Sequence, residues 1–95
     1  MTSPVERFVD LALQAEMRPG VTRNRRGSLV LEGGGVRAMT SHGAIVVKLH
    51  PARVQELVLA REGTHYKGQV NAWLELASAL PAGRCRELID EALRK

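Results

Sequence analysis

The sequence predicts an α+β domain: a two-layer sandwich in which one antiparallel β-sheet carries its helices on one face, in the order α-β-β-β-α-β-α. Three observations point there. Ala44 to Leu49 is a β-branched, apolar run that passes directly into Pro51 and the helical spacing of Val54, Leu57 and Val58. Short apolar runs flank Gly33-Gly34-Gly35 and Ser41-His42-Gly43 in the manner of antiparallel hairpins. Apolar stripes at helical spacing lie near both ends of the chain, and strands bracketed by helices give a sheet covered on one side.

Ninety-five residues, 44% hydrophobic and 25% charged, make one folded domain with one modest core. With one Phe, one Tyr and one Trp, that core must be built from Leu, Val, Ile and Ala, and stacking platforms for single-stranded nucleic acid are scarce. The single cysteine, Cys85, has no internal disulfide partner. The start of the chain has no leader-like pattern, and no apolar run reaches the ~18 residues of a membrane span. A soluble, cytoplasmic protein is expected. The net charge of +4 is unevenly spread: Met17 to Leu31 holds Arg18, Arg23, Arg25 and Arg26 and no acid. A basic stretch of this kind is one footprint of a nucleic-acid partner.

Ser3-Pro4-Val5-Glu6 has the form of a capping box and starts the first helix, with Val5, Phe8, Val9, Ala12 and Leu13 as its expected buried stripe. Arg7, Asp10 and Gln14 are expected to face away, and Pro19-Gly20 to end the helix. Val21 to Gly27 reads as an edge strand or ordered loop. Strands follow at Ser28–Glu32 and Val36–Thr40, and a central one at Ala44–Leu49, with Ile45, Val47 and Leu49 on one face and Ala44, Val46 and Lys48 on the other. The helix from Pro51 closes at Gly63, and Thr64 to Gln69 is a polar loop. Val70 to Leu76 returns to the sheet as a fourth strand. Pro81 opens a final helix that buries Cys85, Leu88, Ile89, Ala92 and Leu93.

Several of these strings resemble the MmcQ/YjbR-like family of small bacterial proteins, which is related to the N-terminal domain of TfoX-type competence regulators. The likeness rests on Ile45-Val46-Val47-Lys48-Leu49 followed by Pro51-Ala52-Arg53-Val54-Gln55-Glu56-Leu57, on Glu62-Gly63-Thr64-His65-Tyr66, and on Trp73. It covers Gly27 to the C-terminus. Where the family often has an aromatic-glycine string before its second strand, this chain has Gly33-Gly34-Gly35. The resemblance implies a frataxin-like (CyaY-like) sandwich and a double-wing mode of DNA binding.

From the residues themselves, the candidate nucleic-acid-binding set is Arg23, Arg25 and Arg26, with Arg37 across a hairpin and Lys48 on the same sheet face. Arginines and lysines in such a patch bind phosphates by releasing counterions, without reading sequence. Charges on an edge strand also serve simply to prevent self-pairing. Gly33-Gly34-Gly35 lies between strands and lacks the spacing of a phosphate loop, so a turn is expected. His42, His50, His65 and Cys85 show no metal-ligand spacing, and His50 reads as a helix cap. Glu6, Asp10 and Glu16 are too sparse for the acidic iron-binding ridge of frataxin-like domains. Ser41-His42 has no acid placed to orient the imidazole, and Tyr66 and Trp73 are read as core or rim. The expected protein is therefore not an enzyme and takes no cofactor or metal. Its expected partner is duplex DNA, bound weakly and without sequence preference. The alternative is an assembly domain that pairs with itself or another protein through the sheet face or an exposed edge strand.

Overall fold

In the computed structural model, which describes residues 4–68 and 71–94, the β-branched run forms β4 (Ala44–Lys48) at the centre of one sheet. Before it come α1 (Pro4–Ala15), β1 (Val21–Arg23), β2 (Leu29–Leu31) and β3 (Gly35–Ser41). After it come α2 (Pro51–Leu59), β5 (Gly63–His65), a 3₁₀ turn (Tyr66–Gly68), β6 (Trp73–Leu76) and α3 (Ala82–Ala92). The strands lie in the order β1-β2-β3-β4-β6-β5, and every neighbouring pair is antiparallel. The α+β class and the antiparallel sheet are as the sequence predicts. No described helix is long and apolar enough to cross a membrane.

Alternation along the strands decides what each face does. Leu29, Leu31, Ala38, Ile45, Val47, Leu74 and Leu76 point to one side, where all three helices meet them in a single core cluster. Leu57, Leu74, Leu88 and Val54 are 1% exposed or less, and burying such a side chain stabilises the fold by about 1.5–3 kcal/mol. The other side of the sheet has no helix over it among the described residues. Val46, which alternation directs to that open side, is nonetheless fully buried.

Turn chemistry follows the sequence closely at two places. His42 and Gly43 both have positive φ (51° and 80°), the two-residue hairpin that suits right-twisted strands, between Ser41 and its register partner Ala44. His50 caps α2 as expected, its Nδ1 accepting from the Ala52 amide at 3.2 Å, with Pro51 in the first turn.

Four expectations need correction. The buried stripe of α1 is Phe8, Leu11, Ala12 and Ala15, while Val5, Val9 and Leu13 are 40%, 44% and 52% exposed. This helix is apolar around most of its circumference, so period alone does not choose a face. Phe8 fills the core, and Ala12 and Ala15 let the helix sit close to the sheet. Arg7 does not face away; it is half-buried and donates to the Leu80 carbonyl at 2.7 Å. Second, α2 is closed not by Gly63 but by the turn at Ala60 and Arg61, where Arg61 takes φ 61°. Third, Gly63–His65 is a strand, not a loop. Gly63 is there because β6 passes so close that a Cβ would stand 2.5 Å from the Glu75 carbonyl. Fourth, the last strand begins at Trp73, since Asn71 spends its side chain on a turn: Oδ1 accepts from the Trp73 amide at 2.7 Å. The expected cap Ser3, with Gln69 and Val70, lies outside the described residues.

Candidate nucleic-acid interface

The five basic residues singled out in the sequence do not share one surface. Arg23 is in register with Leu29, so it lies on the helix side, where its Nε meets Glu16 at 2.7 Å just beyond α1. Arg37 is the extra residue of a bulge: Leu29 pairs with Ala38 and Val30 with Val36, leaving Arg37 without an opposite number. That bulge breaks the alternation on which Arg37 was assigned to the sheet face. Its guanidinium packs instead against Gly34 and near Leu31, and a Cβ on Gly34 would come within 2.9 Å of it. Its Nε is buried and has no hydrogen-bond partner among the described residues. Arg25 is exposed in the β1–β2 turn. Of the five, Arg26 lines the open face and Lys48 is directed to it by its pairing with Trp73.

That face contains a groove of about 370 Å³ whose lining includes Arg26, Met39, Ser41, Tyr66 and Trp73. Its parts come from distant points in the chain. Asn24 shapes the β1–β2 turn by accepting the Arg26 and Ser28 amides, both at 3.0 Å, which brings Arg26 to the rim. Trp73 is the register partner of Lys48, whose Nζ lies 6.0 Å from the indole centroid. Tyr66 follows β5, on the far side of β6 and β4 from β3, yet its hydroxyl bonds Ser41 on β3 at 2.8 Å. This bond spans β4 and β6 on the face to which Val46 is directed. Lys67, held at φ 57°, places its Nζ 5.4 Å from the Tyr66 ring. The open face therefore joins two aromatic rings with three cations, Arg26, Lys48 and Lys67. Sequence reading missed Lys67 and set both aromatics aside as core or rim. The missing signal was the strand order, which inserts β6 between β4 and β5.

Electrostatics separate the two layers. On the helix side Arg84 grips Glu62 with two parallel bonds of 2.8 and 2.9 Å, and Arg53 holds Glu91 at 3.0 and 3.2 Å. The bond from Arg84 holds the Glu62 carboxyl below its usual range, and Glu62, with Glu87, raises Arg84. Glu91, then Glu56, raises Arg53 in the same way. Arg18 meets Asp90 at 3.4 Å. Among the described residues no ion pair involves Arg25, Arg26, Lys48 or Lys67. Glu75, the register partner of Val46, is the acid that the strands direct to the open face.

Cys85 is buried in the core, its Sγ 3.9 Å from Arg7 Nη1. The Ser41 hydroxyl lies 3.1 Å from His42 Nδ1, and its other partner is the Tyr66 phenol rather than a carboxylate. No group of three His, Cys, Asp or Glu among the described residues is arranged to hold a metal ion. No family model, no curated protein and no solved structure matches the chain.

Proposed function

We propose that the helix-free face of the sheet binds the phosphate backbone of nucleic acid, weakly and without sequence preference. The observation that carries this reading is the convergence of Arg26, Lys48 and Lys67 around one groove on a face where no described ion pair neutralises them. Arg25 is exposed on the same β1–β2 turn as Arg26. The resemblance of the chain to the MmcQ/YjbR-like family, for which DNA binding has been suggested, agrees with this reading. Arg23 and Arg37 play no part in it, because one is engaged by Glu16 and the other is folded against its own hairpin.

Fluorescence anisotropy with labelled oligonucleotides over a salt series tests the proposal. Each lost phosphate contact lowers the slope of log affinity against log salt by about 0.7–0.9, so Arg26→Ala with Lys48→Ala should reduce it by about 1.5. Arg23→Ala and Arg37→Ala should leave the slope unchanged. Equal losses in both pairs of variants would show that net charge, and not this face, is responsible.

A specific observation also supports the assembly reading, relocated from the sheet edge to α1. The edges are short: β1 and β5 have three residues each. On α1, by contrast, Val5, Val9 and Leu13 continue into Met17, 86% exposed, at a spacing of four. A second copy laid antiparallel on this row sets Val5 against Met17 and Val9 against Leu13, the self-complementary contact of a two-fold dimer. Sedimentation velocity across a concentration series tests it, with dissociation expected on Val9→Glu.

A further inference from the structure

The groove does more than gather charge, and we infer that it takes the bases of single-stranded nucleic acid rather than a duplex. This rests on the phosphate-binding reading above and adds the chemical class of ligand. Two of the chain's three aromatic residues meet in this one groove, although seven positions and a strand junction separate them. Neither is deep in the core: Tyr66 and Trp73 are both half-buried and line the groove. The Tyr66 hydroxyl is fixed by Ser41 at 2.8 Å. Asn71 links the two positions, donating to the Tyr66 carbonyl at 3.4 Å while it accepts from the Trp73 amide. Anchored through its hydroxyl, the Tyr66 ring loses little freedom when a base stacks on it.

The neighbours of the rings suit the repeat of a single strand. Each ring has a cation over one of its faces, Lys48 at Trp73 and Lys67 at Tyr66, which leaves the opposite face for a base. A nucleotide offers the same pairing, one flat ring and one phosphate per unit, and single-strand binders use aromatic platforms set in a basic groove. Size and shape point the same way. At about 370 Å³ the groove lies within the ~300–1,000 Å³ span of small-molecule pockets, room for unstacked bases. A duplex has its base faces already covered by one another, so it offers phosphates and groove edges but no face for a ring to stack on.

Trp73 is the chain's one tryptophan, so its emission reports on this groove alone. The probes are oligo-dT, a duplex of equal length and inorganic polyphosphate, each titrated onto the whole protein. Oligo-dT should quench Trp73 and bind about tenfold or more tighter than the duplex, while polyphosphate binds without quenching. Tyr66→Ala should weaken oligo-dT by about 5- to 100-fold, as expected for one stacked base, and leave duplex binding within about twofold. Tyr66→Phe keeps the ring and should retain binding, which separates stacking from a folding defect. Should duplex and oligo-dT bind alike with no quenching, the contact is with phosphates only; the inference falls and the reading of the face stands. Should none of the probes bind at low salt, the proposed function itself is wrong.

Discussion

Replacing Gly63 with alanine tests the least expected element of the fold, because it asks why a glycine opens the edge strand β5. Gly63 pairs with Leu76, its φ is not in the left-handed region, and it is buried. An added Cβ would stand 2.5 Å from the Glu75 carbonyl oxygen and 2.9 and 3.1 Å from Leu74 Cδ1 and Cγ. The Leu74 side chain, fully buried, can shift only at the expense of core packing, and a backbone oxygen held in the β5–β6 ladder shifts less still. The strands must therefore separate by several tenths of an ångström, and overpacking of this kind costs about 1–3 kcal/mol. Against this, alanine restricts the unfolded chain and returns about 0.4–1 kcal/mol. The backbone clash should win by about 1–2 kcal/mol, lowering Tm by about 4–16 °C in a domain of this size. The strain has a second consequence, since Glu62 next door both accepts from the Ala77 amide at 3.0 Å and holds Arg84. Thermal unfolding followed by circular dichroism reads the effect, and Gly83→Ala is the control. Gly83 lies in α3 with open space around it and without positive φ, so the same chemical change should stabilise by about 0.5–1 kcal/mol. A Gly63→Ala protein as stable as the parent, or more so, would refute the close approach of β5 to β6. Arg61→Gly completes the set: relief of φ 61° should outweigh the looser unfolded chain by a few tenths of a kcal/mol.

The Glu62–Arg84 pair should make stability pH-dependent. The folded carboxyl titrates below its ordinary value of 4.5, so its contribution is full above that pH and is lost as pH falls through the folded value. Urea unfolding of the parent and of Glu62→Gln should differ by about 1 kcal/mol at pH 7 and converge in strong acid. On α1, Val9→Glu should change stability by less than about 0.5 kcal/mol, because the side chain is 44% exposed, whereas Phe8→Ala, 3% exposed, should cost about 3–5 kcal/mol. Chemical denaturation of the two variants side by side checks which face of α1 is buried. Tyr66→Phe removes one partly buried hydrogen bond and should cost about 1 kcal/mol, read by the same melt.

Where local chemistry decided the structure, the sequence was legible. The β-branched composition of Ala44–Lys48, the glycines of both hairpins, His50 before Pro51 and the single apolar stripe of α3 each admit one reading, and the structure has it. Where several readings satisfy the same local rule, it was not. In α1 two overlapping stripes both have helical period, and only the fit of Phe8, Ala12 and Ala15 against the sheet separates them. The three residues of β5 include a glycine and a β-former only at Thr64, too little to outweigh a loop. The candidate surface failed for a similar reason. Placing Arg37 and Lys48 on one face requires unbroken alternation, and a bulge in the β2–β3 pairing at Arg37 itself removes it. The tyrosine, tryptophan and Lys67 that replace Arg23 and Arg37 are neighbours only because β6 pairs with both β4 and β5.

The ion pairs explain why a modest net charge can still mark one surface. Four of the fourteen basic residues, Arg18, Arg23, Arg53 and Arg84, hold six of the ten acids, all within or beside the helix layer. With Arg7, Arg61, Arg86 and Arg94 and the acids Glu6 and Asp10 counted in, that layer is balanced, and the remaining described cations, Arg25, Arg26, Arg37, Lys48 and Lys67, share the strands and turns with Glu32 and Glu75 alone. Charges separated by more than the ~8–10 Å screening length at physiological salt act nearly independently. What an approaching polyanion meets is therefore the local cluster and not the total of +4. Moving one helix-side acid to the open face, as Val30→Glu with Glu16→Gln, leaves the total unchanged yet should weaken oligonucleotide binding severalfold. A binding constant that follows net charge alone, and ignores where the acid stands, would be incompatible with a dedicated face.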